Sequence, residues 1–223
     1  MHPYFVTNHF KFFEKIVQTK RLEMANIINS EISKFKIFDL LDVGTTSDKN
    51  FKSSNMVTSN ITNVEIFKSL SDQDIDAKLF SIKFKKSITD NFSDNELNEM
   101  KADLVISAAT IEHVGSNDNQ IKMIDNCSKL SKKIFVITTP NRFYPIDFHT
   151  KIPIIHWLPK KYHRKILKII GLKAYSLEEN LNLLSENDLM NFFKKFSNKI
   201  KFKLLKIKLL GIASNFIIIG EHL

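Results

Sequence analysis

The sequence predicts an α/β fold with a mainly parallel sheet, on three observations. Two continuous apolar runs, "ADLVISAA" (102–109) and "KKIFVITTPNR" (132–142), flank a polar stretch with helix signals. That is the pattern of strands buried on both faces with a helical crossover between them. An earlier run, "FDLLDVG" (38–44), ends in an acid and a glycine, as a first strand does before a ligand-binding turn. The C-terminal "IKFKLLKIKLLGIASNFIIIGEH" (200–222) reads as two strands joined near Gly211 to Ser214, so the last strand is antiparallel.

The elements follow in order. Residues 9–29 place Phe12, Phe13, Ile16, Val17, Leu22 and Ile27 near helical spacing, an amphipathic helix ahead of strand one at Ile37–Val43. "NVEIF" (63–67) and "KLFSIKF" (78–84) have strand character, with a polar, helix-poor link between them. After the run at 102–109, Asn117 and Gln120 have capping-box spacing, and Ile121, Ile124 and Cys127 share one helix face. Residues 143–184 change character: Pro145, Pro153 and Pro159 punctuate them, and His149, His156, Trp157, Tyr162 and His163 gather there. A helix is expected over about 161–170. A further one, capped by Ser185 with Asp188, carries Leu189, Phe192, Phe193 and Phe196. No linker splits the chain, so residues 1–223 are expected to form one domain, with 143–184 as a substrate-side insertion or lid.

Composition narrows the classes. The 223 residues are 43% hydrophobic with 19 Phe, so a sizeable core can form, and Gly and Pro number only 5 each. The formal charge is +9, but Arg21, Arg142 and Arg164 are the only arginines. Readers of bases and phosphates favour the planar arginine fork, so nucleic acid is disfavoured as a partner. Cys127 is the only cysteine, which excludes an intrachain disulfide and fits a reducing cytoplasm. The opening "MHPYFVTNHFKFFEK" lacks an apolar core and a cleavage site, and no apolar run approaches the ~20 residues that span a bilayer. A cytoplasmic protein is expected, at most peripheral to a membrane. The oligomeric state is left open.

In open parallel sheets ligands bind beyond the carboxyl ends of the strands. Those ends gather Asp42, Gly44, Thr45, Glu112, His113, Asn141, Arg142, Tyr144, Asp147 and His149. His149, His156 and His163 recur every seven residues, but Pro153 and Pro159 break any helix through them and no acid or cysteine completes a set. No metal site is expected. Cys127 reads as a small core residue, and the lysines from Lys194 to Lys208 as a solvated face and strand edge. Trp157, Leu158, Tyr162, Leu167 and Ile170 read first as packing against the sheet, with a lid or a membrane-facing patch as the alternative.

"FDLLDVG", then "ADLVISAATIEHVGSNDNQ", then "KKIFVITTPNRFYPIDFHTKIPIIHWLP" together resemble the class I S-adenosylmethionine (SAM)-dependent methyltransferases, most closely the bacterial branch called methyltransferase type 11. The resemblance runs from Ala102 to about Ser185 and at Leu40–Gly44, and is poor from Phe51 to Ser93. It implies a Rossmann-like, seven-stranded sheet with helices on both faces and an antiparallel last strand. It also implies SAM as cofactor and methyl transfer to a small-molecule, glycan or lipid-linked acceptor. By this likeness Asp42, Gly44, Thr45 and Thr46 line the cofactor, with Asp42 attracting its ammonium group or orienting the loop. Ser107, Ala108 and Ala109 flank the transferred methyl group. An acid at the end of strand two holds the ribose; Glu65 is the candidate, although direct alignment puts the position near Phe67. Glu112, Asn141, Arg142 and Tyr144 form the substrate side, and His113 or His149 serves as base where the acceptor carries a proton. The thin glycine loop keeps a second class open, a catalytically silent methyltransferase-like binding or assembly subunit. An RNA-binding or RNA-modifying protein is a third and more remote reading.

Overall fold

The computed structural model describes residues 11–48 and 55–223. The expectation about a leader therefore lies largely outside the described residues. The chain forms α1 (Lys11–Ile32), β1 (Asp39–Val43), α2 (Met56–Ser59), β2 (Ile66–Ser71), β3 (Ile82–Lys85), α3 (Asp94–Met100), β4 (Ala102–Ala108), α4 (Asn117–Leu130), β5 (Ser131–Pro140), α5 (Lys160–Ile169), α6 (Glu186–Lys194), β6 (Ile200–Leu209) and β7 (Ile212–His222). The seven strands make one sheet in the order β3-β2-β1-β4-β5-β7-β6. Pairing is parallel from β3 through β5, and β7 runs antiparallel to both of its neighbours.

Alternation along the central strands builds a core on each face. Leu40, Leu104, Ile106, Ile134 and Val136 pack against Met24, Ala25, Ile28 and Ile32 of α1. Leu41, Val105, Phe135 and Ile137 pack against Met123, Ile124 and Cys127 of α4 and Leu189, Phe192 and Phe193 of α6. Cys127 is fully buried, which pushes its thiol pKa up. The buried stripe of α1 is Met24, Ile28 and Ile32, whereas Leu22 is exposed: two residues before Met24, it lies about 200° around the helix.

Two boundaries differ from the sequence reading. Strand β2 begins where "NVEIF" nearly ends, because its second half hides polar residues in the core. Lys68 is buried and pairs with Asp39 of β1 at 2.7 Å. Burial opposes the charge on Asp39, but the Lys68 bond, the Asp103 amide and the Lys132 charge outweigh it and lower its pKa. The cap of α4 is Ser116, whose hydroxyl accepts from the Asn119 amide; Gln120 is instead buried and donates to the Ile111 and Asn182 carbonyls. The Ser185–Asp188 capping box is formed as expected. After Pro140 the chain leaves the sheet, and Leu184 returns beside Asn141 in a parallel bridge.

Candidate active site at the carboxyl edge

The loop after β1 is held by buried staples. Asp42 is 3% exposed and accepts from Thr58 Oγ1 at 2.6 Å and Thr45 Oγ1 at 2.7 Å. Asn55, also buried, accepts from the Thr46 amide and hydroxyl, and its own amide donates to the Thr46 and Asp48 carbonyls. Ser71 at the end of β2 donates to the Thr45 carbonyl at 2.7 Å. The side chains of Asp42, Thr45 and Thr46 therefore shape the loop. Asn55 and Thr58, which take part in most of these bonds, carry no motif that would have marked them. Gly44 has φ +80°, and a Cβ there would lie 2.3 Å from Thr110 Oγ1. Its missing side chain admits Thr110 of the neighbouring strand end.

Burial raises the Asp42 pKa to about 6 from an ordinary 3.8, against the two hydroxyl bonds that lower it. A carboxyl group with a raised folded pKa stabilises the fold while protonated and loses that contribution as pH rises through the folded value. The stability of Asp42→Asn relative to wild type is expected to increase from pH 4 to pH 7 by up to roughly 3 kcal/mol. Denaturant unfolding of both proteins across that range measures it, and a pH-independent difference would show that Asp42 is not so buried.

Glu65 is corrected by the register. Asp39 pairs with Ile66, so Glu65 precedes β2 at its amino end, where its amide donates to the Phe38 carbonyl. The opposite edge of the sheet carries the other candidates. The acid that follows β2 at its carboxyl end is Asp72, an exposed residue. "KSLSD" signals it only once the strand is known to run through Lys68 and Ser69. At the end of β4, Ser107 is buried and donates to the Val43 carbonyl at 2.8 Å, clipping β4 to β1. Ala108 is half-buried. Ala109 is exposed and left-handed, with φ +54°, a conformation that costs a non-glycine residue and gathers at functional sites.

The substrate-side candidates divide. Asn141 donates to the Ala213 carbonyl and accepts from the Phe143 amide. Arg142 donates to the His156 and Leu158 carbonyls. Tyr144 is buried, stacks on Phe148, and its carbonyl accepts from His156 Nε2 at 2.7 Å. These three fold the segment after β5. Glu112, His113 and His149 converge instead. Glu112 is 0% exposed; its Oε2 accepts from Thr139 Oγ1 at 3.0 Å, while Oε1 has no hydrogen-bond partner and lies 3.7 Å from His149 Nε2. His149 Nε2 and His113 Nε2 are 3.1 Å apart. The heptad of histidines separates: His149 joins this cluster, and His156 meets His163 with ring centroids 6.4 Å apart.

Electrostatics distinguish the three. Burial raises the Glu112 pKa despite the His149 charge and the Thr139 bond. Burial, then the charge of His149, lowers His113 to about 3. For His149 burial is outweighed by the hydrogen bond and charge of Asp147, with Glu112 adding to them, so its pKa is raised. Asp147 is itself buried, yet the His149 and Thr150 bonds hold it well below the carboxylate range.

No protein-family profile matches the sequence, and no curated protein matches it. Solved structures match its fold. The plantazolicin methyltransferase BpumL in complex with SAH is 10% identical over 91% of this chain and 84% of that one, with a TM-score of 0.59. The magnesium protoporphyrin IX methyltransferase ChlM from Synechocystis PCC 6803, with bound SAM, is 8% identical over 96% of this chain and 85% of its own, with a TM-score of 0.52. The small RNA methyltransferase HEN1 is 11% identical over 90% of this chain but 25% of its own, with a TM-score of 0.56. At these identities the likeness is one of architecture: the chain has the fold of the class I SAM-dependent methyltransferases.

Proposed function

We propose that the chain is a SAM-dependent methyltransferase acting on a small-molecule, glycan or lipid-linked acceptor. The observation that carries this reading is the row of features along three adjacent strand ends. Gly44 turns tightly after β1, the exposed carboxylate of Asp72 follows β2, and left-handed Ala109 follows β4. These residues fit a nucleoside ligand. A carboxylate accepts hydrogen bonds from two vicinal hydroxyls, so Asp72, in place of Glu65, would hold the ribose. The stapled loop 44–48 would present backbone to the amino-acid part, and Ala108 and Ala109 leave room beside it. Bound there, SAM supplies an electrophilic methyl group on sulfur. The chain's own contribution is alignment and exclusion of water. Proton handling at the acceptor falls to the Glu112–His113–His149 cluster.

A lipid-linked or otherwise apolar acceptor is favoured by residues 143–184, proposed as an acceptor-binding insertion. Leu167 and His163 of α5 are buried, whereas Ile154, Trp157, Tyr162, Ile169 and Ile170 are exposed beside the exposed Lys161, Lys165 and Lys168. The sequence reading put Trp157, Tyr162 and Ile170 in packing, and their exposure reverses this. Such an apolar surface rimmed by lysines suits an amphipathic, anionic ligand.

Calorimetric titration with SAM and with its demethylated product tests the reading. Binding to wild type is expected, with Asp72→Ala weaker by about 10- to 100-fold, the loss of one or two charge-assisted hydrogen bonds. Absence of binding at millimolar ligand would leave the silent-subunit reading in its place. With labelled methyl donor and a panel of acceptors, label partitioning into organic solvent is expected; label found only in RNA would overturn the acceptor class.

A further inference from the structure

We propose that Glu112, His113 and His149 form a binding site for one divalent transition-metal ion, open on the His149 side. The argument starts from the outer nitrogens of the two rings. His113 Nδ1 lies 2.6 Å from the Asn180 carbonyl, which can only accept, so this nitrogen carries the hydrogen. His149 Nδ1 lies 3.1 Å from Asp147 Oδ1, which also accepts from the His149 amide, and it too is the donor. In neutral rings of these tautomers both Nε2 atoms can offer lone pairs to a metal ion, and they lie 3.1 Å apart. Glu112 Oε1, fully buried and without a hydrogen-bond partner, adds a third electron-rich atom 3.7 Å from His149 Nε2. A divalent cation set among these three atoms would be held by all of them.

The geometry matches a metal ion. All three ligand atoms lie within 4.8 Å of one another. Two nitrogens about 2.0–2.1 Å from a tetrahedral ion stand about 3.3 Å apart, close to the separation seen. Both rings are backed by an acceptor on Nδ1, the outer-shell support that metal-bound histidines have. Two imidazoles and a carboxylate suit zinc, iron or manganese, and three protein ligands leave a position for a further oxygen. The His149 side chain is 15% exposed against 0% for Glu112, so the site would be reached from the His149 side. The sequence reading gathered these three residues at one sheet edge but not as a ligand set, because the second histidine comes from a distant segment and the heptad His149, His156 and His163 drew the metal question elsewhere.

Resting on the methyl-transfer reading, the site also indicates an oxygen nucleophile as acceptor. A metal held by Glu112, His113 and His149 would acidify an acceptor hydroxyl, whose proton would pass to solvent. The hydroxyl oxygen then bonds to the methyl carbon as the carbon–sulfur bond breaks, and the electron pair of that bond goes to sulfur.

The test uses the full chain after dialysis against a chelator. Zinc is titrated in competition with a chromophoric chelator, and cobalt is followed by its visible absorption. One equivalent is expected to bind, with cobalt bands of low coordination number. His113→Ala and His149→Ala are each expected to weaken binding by at least about 100-fold, and Asp147→Asn, which leaves the ligands in place, by about 10- to 100-fold. Should an alanine variant fail to fold, Glu112→Gln, nearly isosteric, carries the same expectation of loss. Wild type that takes up no zinc or cobalt, or uptake that survives these substitutions, overturns the site and leaves a proton shared between the two imidazoles. SAM titration on the same samples separates the readings: metal uptake without SAM binding refutes the methyltransferase alone, and SAM binding without metal uptake refutes the site alone.

Discussion

Gly44→Ala is expected to destabilise the protein by about 2–4 kcal/mol and to weaken SAM binding at least about tenfold. Two costs combine. Gly44 has φ +80°, a backbone conformation that an L side chain adopts at a cost of about 1–2 kcal/mol. The new Cβ would also lie 2.3 Å from Thr110 Oγ1, 2.4 Å from Cγ2 and 2.8 Å from Cβ. Threonine is too short to swing its end away, so the chain leaving β4 must move. That chain leads through Ala109 to the Ile111–His113 turn, which couples the first loop to the histidine cluster. Thr110→Ala removes the two closest contacts and is expected to restore part of the loss when combined with Gly44→Ala. Denaturant midpoints and calorimetry of the single and double variants measure both effects. A Gly44→Ala protein with the midpoint of wild type would mean that the loop does not have this conformation in solution.

Phe135→Ala is expected to cost about 3–5 kcal/mol, the range for emptying a packed aromatic site. Phe135 is fully buried at the centre of β5 and faces Gly220 of β7. Its ring occupies the place where a Gly220 side chain would be: a Cβ there would come within 2.2 Å of Cζ. Phe202 of β6 meets Phe135 edge-on at 6.1 Å between centroids and stacks on Phe193 of α6 at 4.2 Å. Gly220→Ala alone should therefore be destabilising, by about 1–3 kcal/mol through overpacking. In the Phe135→Ala background the same methyl group enters vacated space, so the two losses are expected to fall short of additive by more than about 1 kcal/mol. Additivity within error would show that the ring does not cover the glycine.

The legible parts of the fold were those where burial alone dictates residue type. Strand β4 and the part of β5 from Ile134 onward are buried on both faces and read as mainly apolar runs. Helix α6 carries a Ser185–Asp188 box that needs no tertiary partner. Strand β2 was misread because Lys68 and Ser69 occupy core positions, and a lysine enters a strand interior only where another segment supplies its counter-ion, here Asp39. With that misreading Glu65 became the candidate for the ribose acid, whereas the register places it before β2, at the strand's amino end. The exposed aromatics of 143–184 were assigned to packing because periodicity marks an apolar face without saying what lies against it.

The sequence by itself determined the α/β class, the order of the main elements, the antiparallel hairpin at the end and the sheet edge at which its ionisable residues gather. These depend on local propensity and on the contrast between apolar and polar runs, which each segment carries alone. The tertiary structure decided what the polar residues at that edge do. It turned Asp42, Thr45, Ser107, Asn141 and Arg142 into staples, set Asp72 rather than Glu65 at the carboxyl end of β2, and brought His149 to Glu112 and His113 across 36 residues of sequence. A polar side chain's role depends on which partners satisfy it, and those partners come from segments far apart in the chain.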